Sequence, residues 1–152
     1  MARLSRVADA QYSLGLMYTN GDGTPQNYAE AAKWYRKAAD QGNAFAQFNL
    51  GRIYGEGWGV PQNYVEAVKW YRLSADQGNA RAQISLGISY VKGQGLPHDY
   101  VHAYSWFSLS AAQGHQDARK YLDVAARRMT PVQIAEAEKL AREWKPTKQP
   151  PR

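Results

Sequence analysis

The chain repeats itself with a period of 36 residues, and this repetition limits the fold more than any other feature of the sequence. Three units follow one another without a gap, at residues 8–43, 44–79 and 80–115. They read ADAQYSLGLMYTNGDGTPQNYAEAAKWYRKAADQGN, AFAQFNLGRIYGEGWGVPQNYVEAVKWYRLSADQGN and ARAQISLGISYVKGQGLPHDYVHAYSWFSLSAAQGH. A unit of this size cannot bury an apolar face alone, so we expect the units to stack around a continuous core.

Each unit is predicted to form two helices, A and B. In helix A of the second unit, Ala46, Leu50 and Tyr54 are spaced by four residues and form one apolar stripe. Helix B is predicted to begin after Asn63, a favourable N-cap, and to end before Gly78, where a left-handed residue is favoured. The predicted fold class is therefore all-α, an α-solenoid of antiparallel helix pairs.

One glycine recurs inside helix A, as Gly15, Gly51 and Gly87. Glycine within a helix costs about 1 kcal/mol relative to alanine. Its recurrence predicts that the backbone of another helix approaches closely at this position.

The pattern weakens after the third unit. Residues 116–144 are predicted to form a two-helix cap, in which Asp123 replaces the recurring glycine and Thr130 with Pro131 starts the last helix directly. Residues 1–144 would then form one solenoid domain. The stretch 145–152 is basic and proline-rich, and we expect it to be a disordered tail.

The repeated pattern resembles a known family. AxAQxxLGxxYxxGxG, followed by a proline, a tyrosine, a Trp-Tyr pair and AAxQGN, is similar to the Sel-one-like repeat (SLR) family, a relative of the tetratricopeptide repeats. The resemblance covers residues 8–115 in three full units. It implies a right-handed superhelix and a non-catalytic role, without a cofactor, as a bacterial protein-interaction scaffold or adaptor.

The resemblance also implies a concave groove, lined by helix A positions outside the packing stripe. These positions vary between units while the stripe stays constant, and they combine apolar with basic side chains. The candidate groove residues are Asp9, Tyr12, Leu16, Phe45, Phe48, Arg52, Arg81, Ile84, Ile88, Lys92 and Lys120. Such a surface suits a protein or peptide with apolar anchors and acidic groups. In the alternative interpretation, some of the apolar members pack between adjacent A helices.

Trp58 lies between Gly57 and Gly59 in the A-to-B turn of the second unit. A glycine-rich turn before a helix can bind phosphate, but here the glycines recur in every unit without a following Lys-Ser or Lys-Thr pair. They are therefore interpreted as turn residues. The tryptophan does not recur, and it could either cover its own loop and Tyr64 or form an exposed contact with a partner.

Two short motifs raise the question of chemistry. His98 and His102 have the spacing of a metal-binding pair, but only one other histidine exists, so surface substitution is favoured and no metal is predicted. Ser89 and Lys92 match the Ser-x-x-Lys of penicillin-interacting enzymes, without a companion motif. No catalytic residue is therefore predicted, and a hydrolase-like or β-lactam-binding activity is the least favoured alternative. An architectural module of a larger assembly is the other alternative.

The amino-acid composition bears on the kind of partner and the cellular compartment that we expect for this chain. The chain has no cysteine, which excludes disulfides and thiolate chemistry. Its positive charge is concentrated in residues 119–152, and without a continuous basic stripe a nucleic-acid partner is disfavoured. We expect a soluble chain, because no signal sequence or membrane-spanning segment is recognisable. The cytoplasm and the periplasm both remain open, as does self-association through the solenoid ends.

Overall fold

The computed structural model describes residues 2–147, and within that range it forms eight α-helices and no strand. The helices are α1 (Ala2–Asn20), α2 (Tyr28–Asp40), α3 (Ala44–Glu56), α4 (Tyr64–Asp76), α5 (Ala80–Lys92), α6 (Tyr100–Ala112), α7 (Gln116–Ala126) and α8 (Pro131–Glu143). Each helix from α1 to α6 packs against the next one along the chain. The predicted all-α solenoid of helix pairs is confirmed, with α1, α3 and α5 as the A helices.

Side-chain caps set the helix starts, as the repeat pattern predicts. Asn63 accepts a hydrogen bond from the backbone N–H of Glu66 at 3.1 Å, and Asn79 accepts one from Ala82 at 2.9 Å. Between these two starts, Gly78 follows α4 with φ of 97°, a conformation in which a side chain would be strained. The B-to-A turn is therefore only a few residues long, which keeps consecutive helices in contact.

The recurring helix A glycine makes room for an aromatic ring of helix B. A Cβ atom on Gly87 would lie 2.4 Å from Cε1 of Phe107, a ring that is only 1% exposed. Gly51 faces the ring of Tyr71 in the same way. The prediction of a close approach was correct in position, but the close neighbour is mainly a side chain of the same unit and not a helix backbone.

Buried glutamines join one unit to the next. Gln47 is 1% exposed; its amide nitrogen donates to the Ala39 carbonyl of the preceding unit at 3.1 Å, and its oxygen accepts from Gln77 at 2.8 Å. Gln83 bonds to Ala75 and Gln113 in the same arrangement. A buried amide needs such partners, so each glutamine ties helix A to the preceding and the following turn.

A second link between units is an arginine–tyrosine hydrogen bond. Arg36 of α2 donates to the Tyr54 hydroxyl of the next unit at 2.6 Å, and Arg72 of α4 donates to Tyr90 at 2.8 Å. In the next pair of equivalent positions, serine replaces the arginine and alanine replaces the tyrosine, at Ser108 and Ala126. Both partners are thus replaced at the junction with the predicted cap.

The last two helices do not form another regular pair. α7 and α8 each pack on α6, and α8 starts with a complete capping box between Thr130 and Gln133. After α8, the Trp144 ring meets the Trp106 ring edge to face, with centroids 6.4 Å apart. The backbone N–H of Thr147 donates to the Asp76 carbonyl at 2.7 Å, while residues 148–152 of the predicted tail lie outside the described residues.

Replacing Gly87 with alanine is expected to lower the free energy of unfolding by about 1–3 kcal/mol, because the new Cβ would overlap the Phe107 ring. Urea denaturation followed by circular dichroism measures this. Gly55→Ala in α3 is the control, since its Cβ would come no nearer than 3.3 Å to the Tyr71 hydroxyl. Equal stability of the two variants would show that the ring simply moves aside.

Replacing Gln47 with leucine is expected to lower the free energy of unfolding by about 1–3 kcal/mol, because buried groups of two units lose their partner. The matched control is Gln11→Leu, since Gln11 bonds to Gln41 within its own unit. Thermal unfolding of both variants makes the comparison. If Gln11→Leu costs as much, the link between units is not what stabilises the stack.

Candidate partner-binding groove

Three adjoining cavities lie beside the A helices and share Arg81 on their walls, and together they are called the groove below. The largest has a volume of 680 Å³ and is lined by Tyr12, Phe45, Phe48 and the B-to-A turn around Gly78. The second, of 190 Å³, lies against α1, α2 and α3, and the third, of 310 Å³, against α3, α5 and α7. The groove therefore continues on both sides of α3.

The predicted groove residues fall into three sets. Seven line the three cavities: Tyr12, Leu16, Phe45, Phe48, Arg52, Arg81 and Ile84. Ile88 and Lys92 line a separate cavity of 360 Å³ beside Tyr64 and Ser89. Asp9 and Lys120 line none of these four; Asp9 accepts a hydrogen bond from Asn43, and Lys120 lies 4.0 Å from Asp117. The structure thus brings together only part of the predicted set.

Two of the apolar candidates belong to the core. Phe48 is 6% exposed and Ile84 is 8% exposed, and the Phe48 ring packs against Tyr71 with centroids 6.1 Å apart. The alternative interpretation, packing between helices, describes these two side chains. Phe45 is different, because its side chain is 61% exposed. Its ring centroid lies 5.9 Å from that of Tyr12.

Two arginines lie against aromatic rings in the middle of the groove. The Arg52 guanidinium is 5.2 Å from the Trp58 ring centroid and 5.9 Å from that of Phe48, and the Arg81 guanidinium is 5.0 Å from Phe48. Neither forms an ion pair with any carboxylate of residues 2–147. Burial raises the pKa of Tyr71 to about 12 although the Arg52 charge opposes this, so the hydroxyl beside the arginines stays neutral.

Trp58 packs on the preceding unit. Its ring is half-buried and lies 5.2 Å from the Tyr28 ring at an angle of 30°. Neither of the two predicted placements, over Tyr64 or exposed, included this partner. Next to it, a Cβ on Gly59 would lie 2.5 Å from the Ala29 backbone nitrogen, so the loop itself presses on the start of α2. Trp58 therefore holds two units together and also forms a wall of the second cavity.

Sequence reasoning missed several groove residues. Asn49 lines the two cavities on the α1 side, and Gln77, Asn79 and Gln113 line the largest one. Most of them belong to the recurring turn pattern, so the sequence explained them as turn residues and gave no sign that they also line a cavity. His115 stands where the other units have a capping asparagine, makes no cap hydrogen bond and has a buried Nδ1 without a partner. The replacement of the recurring asparagine by histidine was the feature of the sequence that could have identified this residue.

The residues that suggested chemistry have structural partners. The Ser89 hydroxyl donates to the Ser85 carbonyl at 2.9 Å, so it is held by its own helix. The His102 ring is bonded to Asp99 at 2.6 Å, and the His98 ring packs edge-on against Tyr100. Among the described residues, no three histidine or acidic side chains are grouped so that they could hold a metal ion.

Asp99 provides a pH-dependent contribution to stability. Burial alone would raise the pKa of its carboxyl, but hydrogen bonds from the backbone and ring of His102 outweigh it and hold the pKa below its ordinary value. A lowered carboxyl pKa stabilises the fold above the unfolded-state pKa, and this contribution is lost as the pH falls through the folded-state pKa.

Asp99→Asn is therefore expected to reduce the loss of stability in the acid range below about pH 4, because asparagine keeps the cap without a titrating group. Unfolding free energies measured across that range for the two proteins make the test. His102→Gln should weaken the same pH dependence in part. An unchanged pH profile for Asp99→Asn would contradict this account of the cap.

Comparisons with known proteins agree with the fold. The family model for the Sel1 repeat matches residues 8–43, 44–79 and 80–115. A protective antigen of uropathogenic Escherichia coli with an SLR fold is 41% identical, with a TM-score of 0.79 over 89% of this chain. A Sel1 repeat protein from Oxalobacter formigenes is 34% identical, with a TM-score of 0.68 over 88%. The matched parts are 30% and 62% of those two chains, and no curated protein matches.

Within residues 2–147, none of the helices combines the length and the apolar character needed to cross a membrane.

Proposed function

The chain belongs to the Sel1 repeat family, and from this premise we propose that it is a non-catalytic scaffold or adaptor that holds a segment of a protein or peptide in its A-helix groove. The family commonly mediates protein interactions, and this chain has a cavity on each side of α3 that a bound segment can enter. The two residues that suggested chemistry lie outside the three groove cavities, and the hydroxyl of Ser89 and the ring of His102 are hydrogen-bonded within the fold itself.

Phe45 carries this proposal. Its side chain is 61% exposed on the wall of the 680 Å³ cavity, and its equivalents in the other units are Asp9, Arg81 and Asp117. The fold therefore does not need an aromatic side chain there. An exposed ring on the wall of a cavity of several hundred Å³ gives a partner an aromatic contact beside a space that its own side chain can fill.

One observation favours the architectural alternative. In the later units, the loop glycines Gly59 and Gly95 press on the start of the preceding helix B, at Ala29 and Tyr64. Gly23 has only the Met17 methyl within 4 Å of its would-be Cβ. Within residues 2–147, no helix packs against Gly23 as α2 and α4 pack against Gly59 and Gly95, and such a surface suits assembly with another helix.

Phe45→Ser is expected to weaken binding of a groove ligand about tenfold or more, because the partner loses an aromatic contact. The ligand is obtained by selecting peptides from a random display library on the full chain, and affinities are measured by fluorescence anisotropy. Val65→Ser on α4 is the matched control, because Val65 is 67% exposed and lies outside the groove.

Equal losses in both variants, or none in Phe45→Ser, would reject the groove as the binding site. Binding that instead fails after substitution of Gly23 in the first unit would favour the architectural alternative. Circular dichroism of each variant shows whether the fold is retained.

A further inference from the structure

Two neighbouring arginines, Arg52 and Arg81, supply the positive charge of the groove. Of the predicted basic residues, Lys92 lines a different cavity and Lys120 lies beside Asp117, whereas Arg52 and Arg81 both line the second and third cavities. Each guanidinium lies within 6 Å of the centre of the Phe48 ring. The two charges are thus on adjacent A helices, one unit apart, and they share an aromatic support.

These arginines keep their hydrogen-bonding capacity. A guanidinium that lies near an aromatic ring keeps N–H donors with which it can bind other groups. The acidic residues on the wall of the third cavity are Glu56 and Asp117, but throughout the described part of the chain neither lies within ion-pair distance of Arg52 or Arg81. Two planar donors without a carboxylate partner are suited to bind one in a bidentate manner.

From this geometry we infer that Arg52 and Arg81 form a carboxylate-binding site, and that the occupant of the groove is an extended acidic peptide segment. A side-chain carboxylate of the segment lies between the two guanidiniums. An apolar side chain next to it in the segment occupies the 680 Å³ cavity against Tyr12 and Phe45. This inference rests on the proposed function and specifies the chemistry of its ligand.

The acid belongs to a side chain and not to a chain terminus. Arg52 and Arg81 lie between a cavity toward α1 and a cavity toward α7, so there is room for the ligand on both sides of the charges. A carboxyl terminus held at this point would leave one of these two cavities empty. A segment that passes through the groove fills both.

The test uses a library of random peptides displayed with fixed residues on both sides, so that no free carboxyl terminus is offered. Selection on the full chain is expected to enrich Asp or Glu beside an aromatic or aliphatic residue. A selected peptide is then synthesised with blocked ends, once with its acids and once with the corresponding amides. We expect the acid form to bind about tenfold tighter, as charge-assisted hydrogen bonds require.

Variants of the chain locate that preference. Arg52→Gln and Arg81→Gln are each expected to bring the affinities for acid and amide forms close together, while Arg142→Gln, an equal change of charge on α8, leaves the preference intact. Arg52 also supports packing through its ring contacts, so Arg52→Lys is the second variant there. It keeps the charge without the planar donor pair and is expected to retain part of the preference, with thermal unfolding as the check on folding.

The outcomes separate the two claims. Peptide binding that depends on Phe45 but not on the acids, or an acid preference that survives both arginine substitutions, overturns the carboxylate site and leaves the proposed function standing. Binding that is independent of Phe45 and of both arginines overturns the proposed function itself. A peptide whose only carboxylate is its free terminus provides the last arm, and preference for it over the blocked acid would overturn the assignment to a side chain.

Discussion

The contact between a helix A glycine and a helix B ring is the constraint on which the rest of this structure depends. Phe107 lies so close to Gly87 that no Cβ fits between them, and Tyr71 stands in the same relation to Gly51. Each glycine destabilises its helix by about 1 kcal/mol relative to alanine, but it allows the ring of helix B to pack directly against helix A in the core of the unit. Because this contact fixes which face of helix A points inward, it also fixes which face is left to form the groove.

Each unit is closed internally by its glycine and ring, and the units are joined to one another by shared apolar clusters and by polar links. Gln47 and Gln83 are buried amides that each bond to the last turn of the preceding unit and to the closing turn of their own unit. Polar groups of this kind have strict geometric requirements, so they specify the register in which one unit meets the next. Where the arginine–tyrosine link is replaced by Ser108 and Ala126, the regular stacking also ends, and α8 packs on α6 instead of pairing with α7.

The sequence predicts the parts of this structure that depend on local chemistry. Caps such as Asn63, the glycine turns and the apolar stripe of helix A are visible within one unit, and three copies make them unmistakable. Packing between units is not visible in this way. Phe48 and Ile84 have the helical spacing of a groove face, yet both side chains are buried in apolar clusters that residues of neighbouring helices complete.

The same limit applies to Trp58, whose partner Tyr28 belongs to the preceding unit, and to α8, whose docking on α6 departs from the repeat. In each case the deciding contact joins residues that are far apart in sequence, and at least one of them lies outside the periodic pattern. The repeat therefore defines the scaffold, while individual substitutions in it decide which side chains line the cavities beside the A helices.

The burial of Phe48 changes the meaning of the positive charges around it. As a core residue it cannot anchor a ligand, but its ring supports the guanidiniums of both Arg52 and Arg81. An arginine held by an aromatic ring loses less conformational freedom on binding than a solvated lysine, because part of its ordering has already occurred in the free protein. A side chain that a pattern of spacing assigns to binding can thus serve recognition from inside the core, by positioning the groups that make the contact.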